Sequence, residues 1–296
     1  MATVAVRLRL GATLGCYPRQ TPLYKRRVRR GGISKETIAK VPPLASSVLF
    51  ACLCVFRAIS SMTVDKSPHR IREMFGEIAR RYDLLNHLLS AGMDRLWRRR
   101  TVRLTQPEGE ATVLDVCTGT ADLALAYWRR GGGRVRVVGA DFCRPMLAVG
   151  REKCRRAKAR GVTLVEADAQ QLPFADEAFD VVSVAFGLRN LSDTDRGLRE
   201  MARVCRPGGR VAVLEFSMPQ LRGWRGVYGW YFRRVLPRLG QALARNQQQA
   251  YNYLPTSVHE FPQREALLAR IQEAGLRDVR WHSFTFGVAG LYVGIK

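Results

Sequence analysis

The sequence predicts an α/β fold, a doubly wound, mainly parallel seven-stranded sheet with helices on both faces, and three observations lead to it. Strand-like and helix-like segments alternate from residue 112 towards the C-terminus, the pattern of strands joined by helical crossovers. The strand-like segments are apolar on both alternations, as in Val113-Leu114, Val137-Val138, Val181-Val182 and Val211–Leu214, which a sheet covered on both faces requires. The connections are short, which keeps the segments in one compact unit.

Ahead of the sheet, Ile71, Phe75, Ile78, Tyr82, Leu85, Leu88 and Leu89 recur at three- and four-residue spacings and predict one or two helices from Ser67 onward. Strands follow over Thr112–Val116, Arg134–Asp141, Val162–Ala167, Asp180–Ala185 and Arg210–Phe216, with helices over Ala121–Arg130, Pro145–Arg160 and Asp193–Cys205 between them. Residues 217–262 break the rhythm. Trp224, Tyr228, Trp230, Tyr231 and Phe232 stand there among arginines, glycines and prolines, an insertion suited to cover a substrate. A helix near Gln263–Ala274 and strands near Val279–Phe286 and Leu291–Ile295 complete the pattern.

The 296 residues carry 49 Lys and Arg against 25 Asp and Glu, a net charge of +24. Such a chain is drawn to nucleic acid, anionic lipid or acidic substrates. Residues 1–61 hold eleven of the basic residues and one acid, Glu36, so +10 falls on this N-terminal extension and +14 on residues 62–296, the expected catalytic domain. The extension has a basic run at Lys25–Arg30 and an apolar stretch of 13 residues from Leu44 to Phe56, short of the roughly 20 that span a bilayer. Three readings of it stand: an organellar transit peptide, for its arginines and lack of acids; sequence upstream of a true start at Met62; and a membrane anchor. Seven scattered cysteines and four histidines without ligand spacing point to reduced thiols inside a cell and to no structural metal.

Chemistry concentrates at the carboxyl ends of successive strands. Val113-Leu114-Asp115-Val116-Cys117-Thr118-Gly119-Thr120-Ala121-Asp122 runs from a strand through a small-residue turn into a helix, where doubly wound sheets bind ligands. Gly119 allows close approach to the backbone, and Thr120 with the helix N-terminus supplies donors; an ordinary tight turn is the alternative. A dinucleotide fingerprint places glycines at 117, 119 and 122, whereas this chain has Cys117, Gly119 and Asp122. Asp122 would repel a pyrophosphate. S-adenosylmethionine has no phosphate and a cationic sulfonium, which acids near this turn favour.

Asp141 ends the second strand, 26 residues after Asp115, and is placed to accept both hydroxyls of a ribose; a helix N-cap is the competing reading. Asp168 follows the third strand and, with the Ala169 backbone, is placed to read the edge of an adenine; a solvated turn aspartate competes. After the fourth strand stands Phe186-Gly187-Leu188-Arg189-Asn190, in place of the Asp/Asn-Pro-Pro-aromatic motif of many amino-methylating enzymes, which argues against methylation of nucleic-acid bases at nitrogen. Arg189 and Asn190 are expected at the mouth of the site, positioned to bind and polarise a substrate oxygen; a salt-bridged surface arginine is the alternative.

From Ile71 onward the chain resembles the ubiquinone/menaquinone biosynthesis C-methyltransferases of the UbiE/MenG type. The resemblance rests on Met74-Phe75 through Arg81-Tyr82-Asp83 with Asn86, Leu96-Trp97-Arg98, the Asp115–Asp122 turn, Phe186–Asn190, Arg206-Pro207-Gly208-Gly209 and Leu214-Glu215-Phe216-Ser217 with Pro219. It implies a class I, Rossmann-like methyltransferase that uses S-adenosylmethionine to methylate a ring carbon of a polyprenylated benzoquinol or naphthoquinol. It implies cofactor contacts at Thr120, Asp141, Asp168 and Ala169, with Asp115 and Gly119 less firmly carried over. Cys117 and Ala121 stand where glycine is frequent, and Ala185 where some members have serine. In such chemistry a hydroxyl loses its proton, the phenolate makes the ortho carbon nucleophilic, and neither metal nor covalent enzyme intermediate is needed. Arg189 is the expected phenolate stabiliser, Asn190 the group that orients the ring, Tyr82 a wall and His259 a base candidate.

The resemblance also implies peripheral contact with an anionic membrane surface and no nucleic-acid partner, with a homodimer or a quinone-biosynthesis complex as the expected assemblies. The location it implies is the cytoplasmic face of a bacterial membrane, or a mitochondrion or plastid if residues 1–61 are a transit peptide. Two other readings stand beside it. One is a methyltransferase of another small molecule, a sterol or a phenolic compound; the other is a basic, RNA-binding methyltransferase-like protein, for which the +14 of residues 62–296 speaks.

Overall fold

A computed structural model describes residues 65–219 and 248–296, together with positions 223, 226, 229, 230 and 234 between them. Within it Met62–Lys296 forms one compact unit. The extension over residues 1–61 and, apart from Trp230, the aromatic run from Trp224 to Phe232 lie outside the described residues.

Three helices precede the sheet where one or two were expected: α1 (Pro68–Ile78), α2 (Tyr82–Leu89) and α3 (Met93–Thr105). Proline opens α1 in its first turn, where its missing N–H is not needed. The helix then buries Ile71, Met74 and Ile78. Gly92, at φ +75°, makes the turn from α2 into α3 at no steric cost.

The sheet is built from β1 (Thr112–Val116), β2 (Arg136–Asp141), β3 (Val162–Glu166), β4 (Phe179–Ala185), β5 (Cys205–Phe216), β6 (Arg277–Phe284) and β7 (Ala289–Ile295) in the order β3-β2-β1-β4-β5-β7-β6. The first five strands pair in parallel, and β7 pairs antiparallel with both β5 and β6. The expected mainly parallel, seven-stranded, doubly wound sheet is therefore the fold. Its helices are α4 (Asp122–Arg130), α5 (Arg144–Arg156), α6 (Thr194–Val204), α7 (Gln248–Glu260) and α8 (Glu265–Glu273). Two apolar layers sandwich it. Leu114, Val182, Leu198, Met201, Val213 and Ile271 belong to one, and Val113, Val137, Leu123, Tyr127 and Val102 to the other.

Two boundaries moved for visible reasons. β5 starts at Cys205 instead of Arg210, because Gly208, at φ +75°, bends the chain so that its N–H meets the Lys296 carbonyl at 3.0 Å and the Gly209 carbonyl receives the Lys296 N–H at 3.0 Å. β6 stops at Phe284 instead of Phe286, because Thr285 and Phe286 turn to positive φ. The strand order places β1 between β2 and β4. Chain direction away from β1 reverses there, and the crevice between the carboxyl ends of β1 and β4 is where such sheets bind ligands.

Candidate active site

The turn after β1 runs through left-handed backbone, with φ between +52° and +65° at Cys117, Gly119 and Ala121, at no steric cost only at Gly119. Thr118 pins it, donating its hydroxyl to Asp115 Oδ2 at 2.7 Å and its N–H to the Ala140 carbonyl at 3.0 Å. Asp141 then ties this turn to the next one. Its Oδ2 accepts the Gly119 N–H and its Oδ1 the Cys143 N–H, both at 2.8 Å. Burial pushes the Asp141 carboxyl up to about 6, against the pull of these backbone donors. On the other side of the crevice, a Cβ added to Gly187 would lie 2.3 Å from Cys117 Cβ. Only glycine lets the turns after β1 and β4 touch and close the floor.

Above that floor lies a cavity whose empty space, counting that open to solvent at its mouth, is about 750 Å³. Ile71, Phe75, Phe142, Met146 and Phe186 form apolar walls, and Gly119, Asp141, Asp168, Ala169 and Asn190 line it together. Tyr82 lines it too. Asn190 is fixed from two sides, accepting the Tyr253 hydroxyl on Oδ1 at 3.0 Å and directing Nδ2 to the Phe186 carbonyl at 3.4 Å. Tyr253 comes from α7, within the 217–262 insertion, and packs against Ile71 and Met74 of α1.

Several expected site residues lie elsewhere. Thr120 is buried with its hydroxyl bonded to Asp83 and accepting from Lys153 at 3.2 Å, so it joins the helices rather than the cavity. Asp115 is buried beneath the turn, held by Thr118, and burial pushes its carboxyl up to about 7. Arg189 does not stand at the mouth. Only 5% exposed, it donates to the Phe186 carbonyl and pairs through Nη1 with Glu215 Oε2 at 3.0 Å, the salt-bridged alternative in a buried form. His259 is exposed on α7 and does not line the cavity. Asp122, counted as free charge beside the turn, is ion-paired with Lys153.

What the sequence reading missed is the contribution of the segment before and within α1: Lys66, Pro68, Ile71 and Phe75 all line the cavity. The helical period identified Ile71 and Phe75 as a buried face, but periodicity does not say against what. One group of metal-type ligands gathers among the described residues, His87, Asp94 and Asp122 within 4.8 Å of one another. Arg98 pairs with Asp94 and Lys153 with Asp122, so its carboxylates already have cations.

The doubly wound sheet with β7 antiparallel between β5 and β6, the open glycine turn after β1 and the acid at the end of β2 match the fold of class I S-adenosylmethionine-dependent methyltransferases, and the family match below makes this chain one of them. Solved structures with this fold include an S-adenosylmethionine-dependent methyltransferase from Aquifex aeolicus, 18% identical, with a TM-score of 0.51, covering 72% of this chain and 98% of that one. Another from Thermotoga maritima is 19% identical, with a TM-score of 0.53 and coverage of 76% and 99%. The model of the ubiE/COQ5 methyltransferase family matches residues 62–296, and the chain belongs to that family. Similar proteins include a demethylmenaquinone methyltransferase of Thermus thermophilus, 52% identical over 223 residues, 75% of this chain and 99% of that protein. A ubiquinone/menaquinone biosynthesis C-methyltransferase of Geobacter sulfurreducens is 44% identical over 244 residues, 82% and 94%.

The residues present fit the cofactor. The Asp141 carboxylate accepts backbone N–H groups of Gly119, Cys143 and Phe142, and its two oxygens, with about four acceptor positions, still have room for a ligand hydroxyl. The backbone at Gly119 has no side chain to bar approach, and Asp168 sits at the same rim beside the buried Ala169. Among the described residues two acids line the cavity against a single cation, Lys66, which suits a ligand bearing a sulfonium.

Proposed function

We propose that this enzyme methylates a ring carbon of a polyprenylated quinol, with demethylmenaquinol, a naphthoquinol, as the first substrate to test and the corresponding benzoquinol as the second. The observation that carries the reading is the 52% identity to a protein named for demethylmenaquinone, spanning 99% of that protein. The order of the two substrates rests on that same name.

In this reading the ribose hydroxyls fall to Asp141, the adenine edge to Asp168 and the Ala169 backbone, and the close backbone approach to Gly119. The bound cofactor supplies an electrophilic methyl group. The chain itself must hold a flat ring, exclude water and handle one proton. Ile71, Phe75 and Phe186 offer apolar faces for the ring, and Asn190, immobilised by Tyr253, offers an amide to a ring oxygen. A prenyl tail and the +14 of residues 62–296 support peripheral attachment to an anionic bilayer; among the described residues no helix is long and apolar enough to cross a membrane.

The test is methyl transfer from isotopically labelled cofactor to demethylated quinols of both ring types, with the product mass and methyl position determined. Methylation at oxygen, or of neither quinol, would refute the proposal.

A further inference from the structure

With Arg189 neutralised by Glu215 inside the protein, the cavity lacks the cation that phenolate chemistry was expected to use. One positive side chain does line it. Lys66, two residues before α1, is half-buried and is the single Lys or Arg among the described residues that line the cavity, which also include Tyr82 and Asn190. We propose that Lys66 is the catalytic proton acceptor for the substrate hydroxyl and then, as an ammonium, the counter-ion of the phenolate it has generated.

This rests on the quinol reading above. The step balances simply. The hydroxyl O–H bond breaks, its proton passes to the lone pair of the neutral Nζ, and the electron pair left on oxygen delocalises into the ring, raising electron density at the ortho carbon that takes the methyl. The proton later released from that carbon restores aromaticity and leaves for solvent, and Lys66 returns its own to the oxygen.

A lysine does this work only if part of it is neutral near physiological pH. Burial lowers the Lys66 ammonium, and the positive charges of Arg189 and of Arg270 on α8 lower it further, while Glu260 of α7 and Glu215 of β5 raise it; the net direction is down. The cavity's two acids, Asp141 and Asp168, face the same space from the β2 and β3 ends. Tyr82 is unsuited to the role, since burial raises its phenol above the usual value.

Two variants and one direct titration test the assignment in the full-length enzyme. Lys66→Met should lower kcat at least 100-fold, leave calorimetric cofactor affinity within about threefold of wild type, and abolish the rise of kcat with pH. Lys66→Arg keeps a positive charge but accepts no proton, and should stay at least 30-fold below wild type. Independently of turnover, labelling by a trace acid anhydride read by mass spectrometry should show Lys66 reacting at lower pH than exposed Lys158. Wild-type kcat and pH profile in Lys66→Met, or full rescue by Lys66→Arg, would overturn the proposal. If wild type methylates neither quinol, it is the substrate reading that has failed, and the anhydride titration still decides whether Lys66 is poised as a base.

Discussion

Replacing Asp141 tests the cofactor site most directly, because its geometry sets both the size and the pH dependence of the effect. Each carboxylate oxygen already accepts a backbone N–H at 2.8 Å, and a ribose hydroxyl would add a further bond. Hydrogen bonds to a charged acceptor contribute about 1.5–3 kcal/mol each. Water refills part of what Asp141→Ala removes, so cofactor affinity should fall by about one to two orders of magnitude.

The pH signature is sharper. The Asp141 carboxyl lies at about 6 because it is buried, and hydroxyl donors bind its ionised form. At pH 5 only about one molecule in eleven is ionised, and apparent affinity scales with that fraction. Wild-type Kd should therefore improve about tenfold between pH 5 and pH 7.5. Asp141→Asn should be weak at both and lack the improvement. Isothermal titration calorimetry at the two pH values reads this. Unchanged affinity in Asp141→Ala, or a wild-type Kd independent of pH, would remove Asp141 from the ribose site.

Three further outcomes follow from particular contacts. The native Asp115 carboxyl, at about 7 against 3.8 unperturbed, holds its proton longer than in the unfolded chain, so stability falls as pH rises from about 4 to about 7. Asp141, raised to about 6, adds to the fall inside that window, while the carboxyls lowered by ion pairs and hydrogen bonds, Asp94, Asp180 and Glu200, act below it. Calorimetric Tm should drop across it, and Asp115→Asn, which keeps an acceptor for Thr118, should flatten the drop; an unchanged slope would count against it. Arg189→Met leaves the buried Glu215 without its partner and should cost about 3–5 kcal/mol of stability, partly recovered by adding Glu215→Gln. A wild-type Tm with lost turnover would instead return Arg189 to the reaction. Gly187→Ala sets a Cβ 2.3 Å from Cys117 Cβ and should cost about 1–3 kcal/mol by overpacking, relieved by Cys117→Gly but not by Cys117→Ala; denaturant midpoints of the three variants decide it.

The sequence by itself determined the sheet and several of the residues that gather around its cavity. Strand identity was legible because residues such as Val113-Leu114 and Val181-Val182 are apolar on both faces, a pattern set by burial alone. Asp141, Asp168, Ala169 and Gly119 were legible because the ends of parallel strands gather in space whatever the loops do. The tertiary structure alone decided which polar residues face the cavity and which are consumed by each other. Arg189 and Glu215 are 26 residues apart, and Thr120 meets Asp83 across 37. A side chain's local sequence carries no record of such a partner, and in a low-dielectric interior the nearest opposite charge claims it. Likewise the helical period showed that α1 has a buried face, while only the packed chain lays that face, with Lys66 at its head, over the carboxyl ends of β1 and β4.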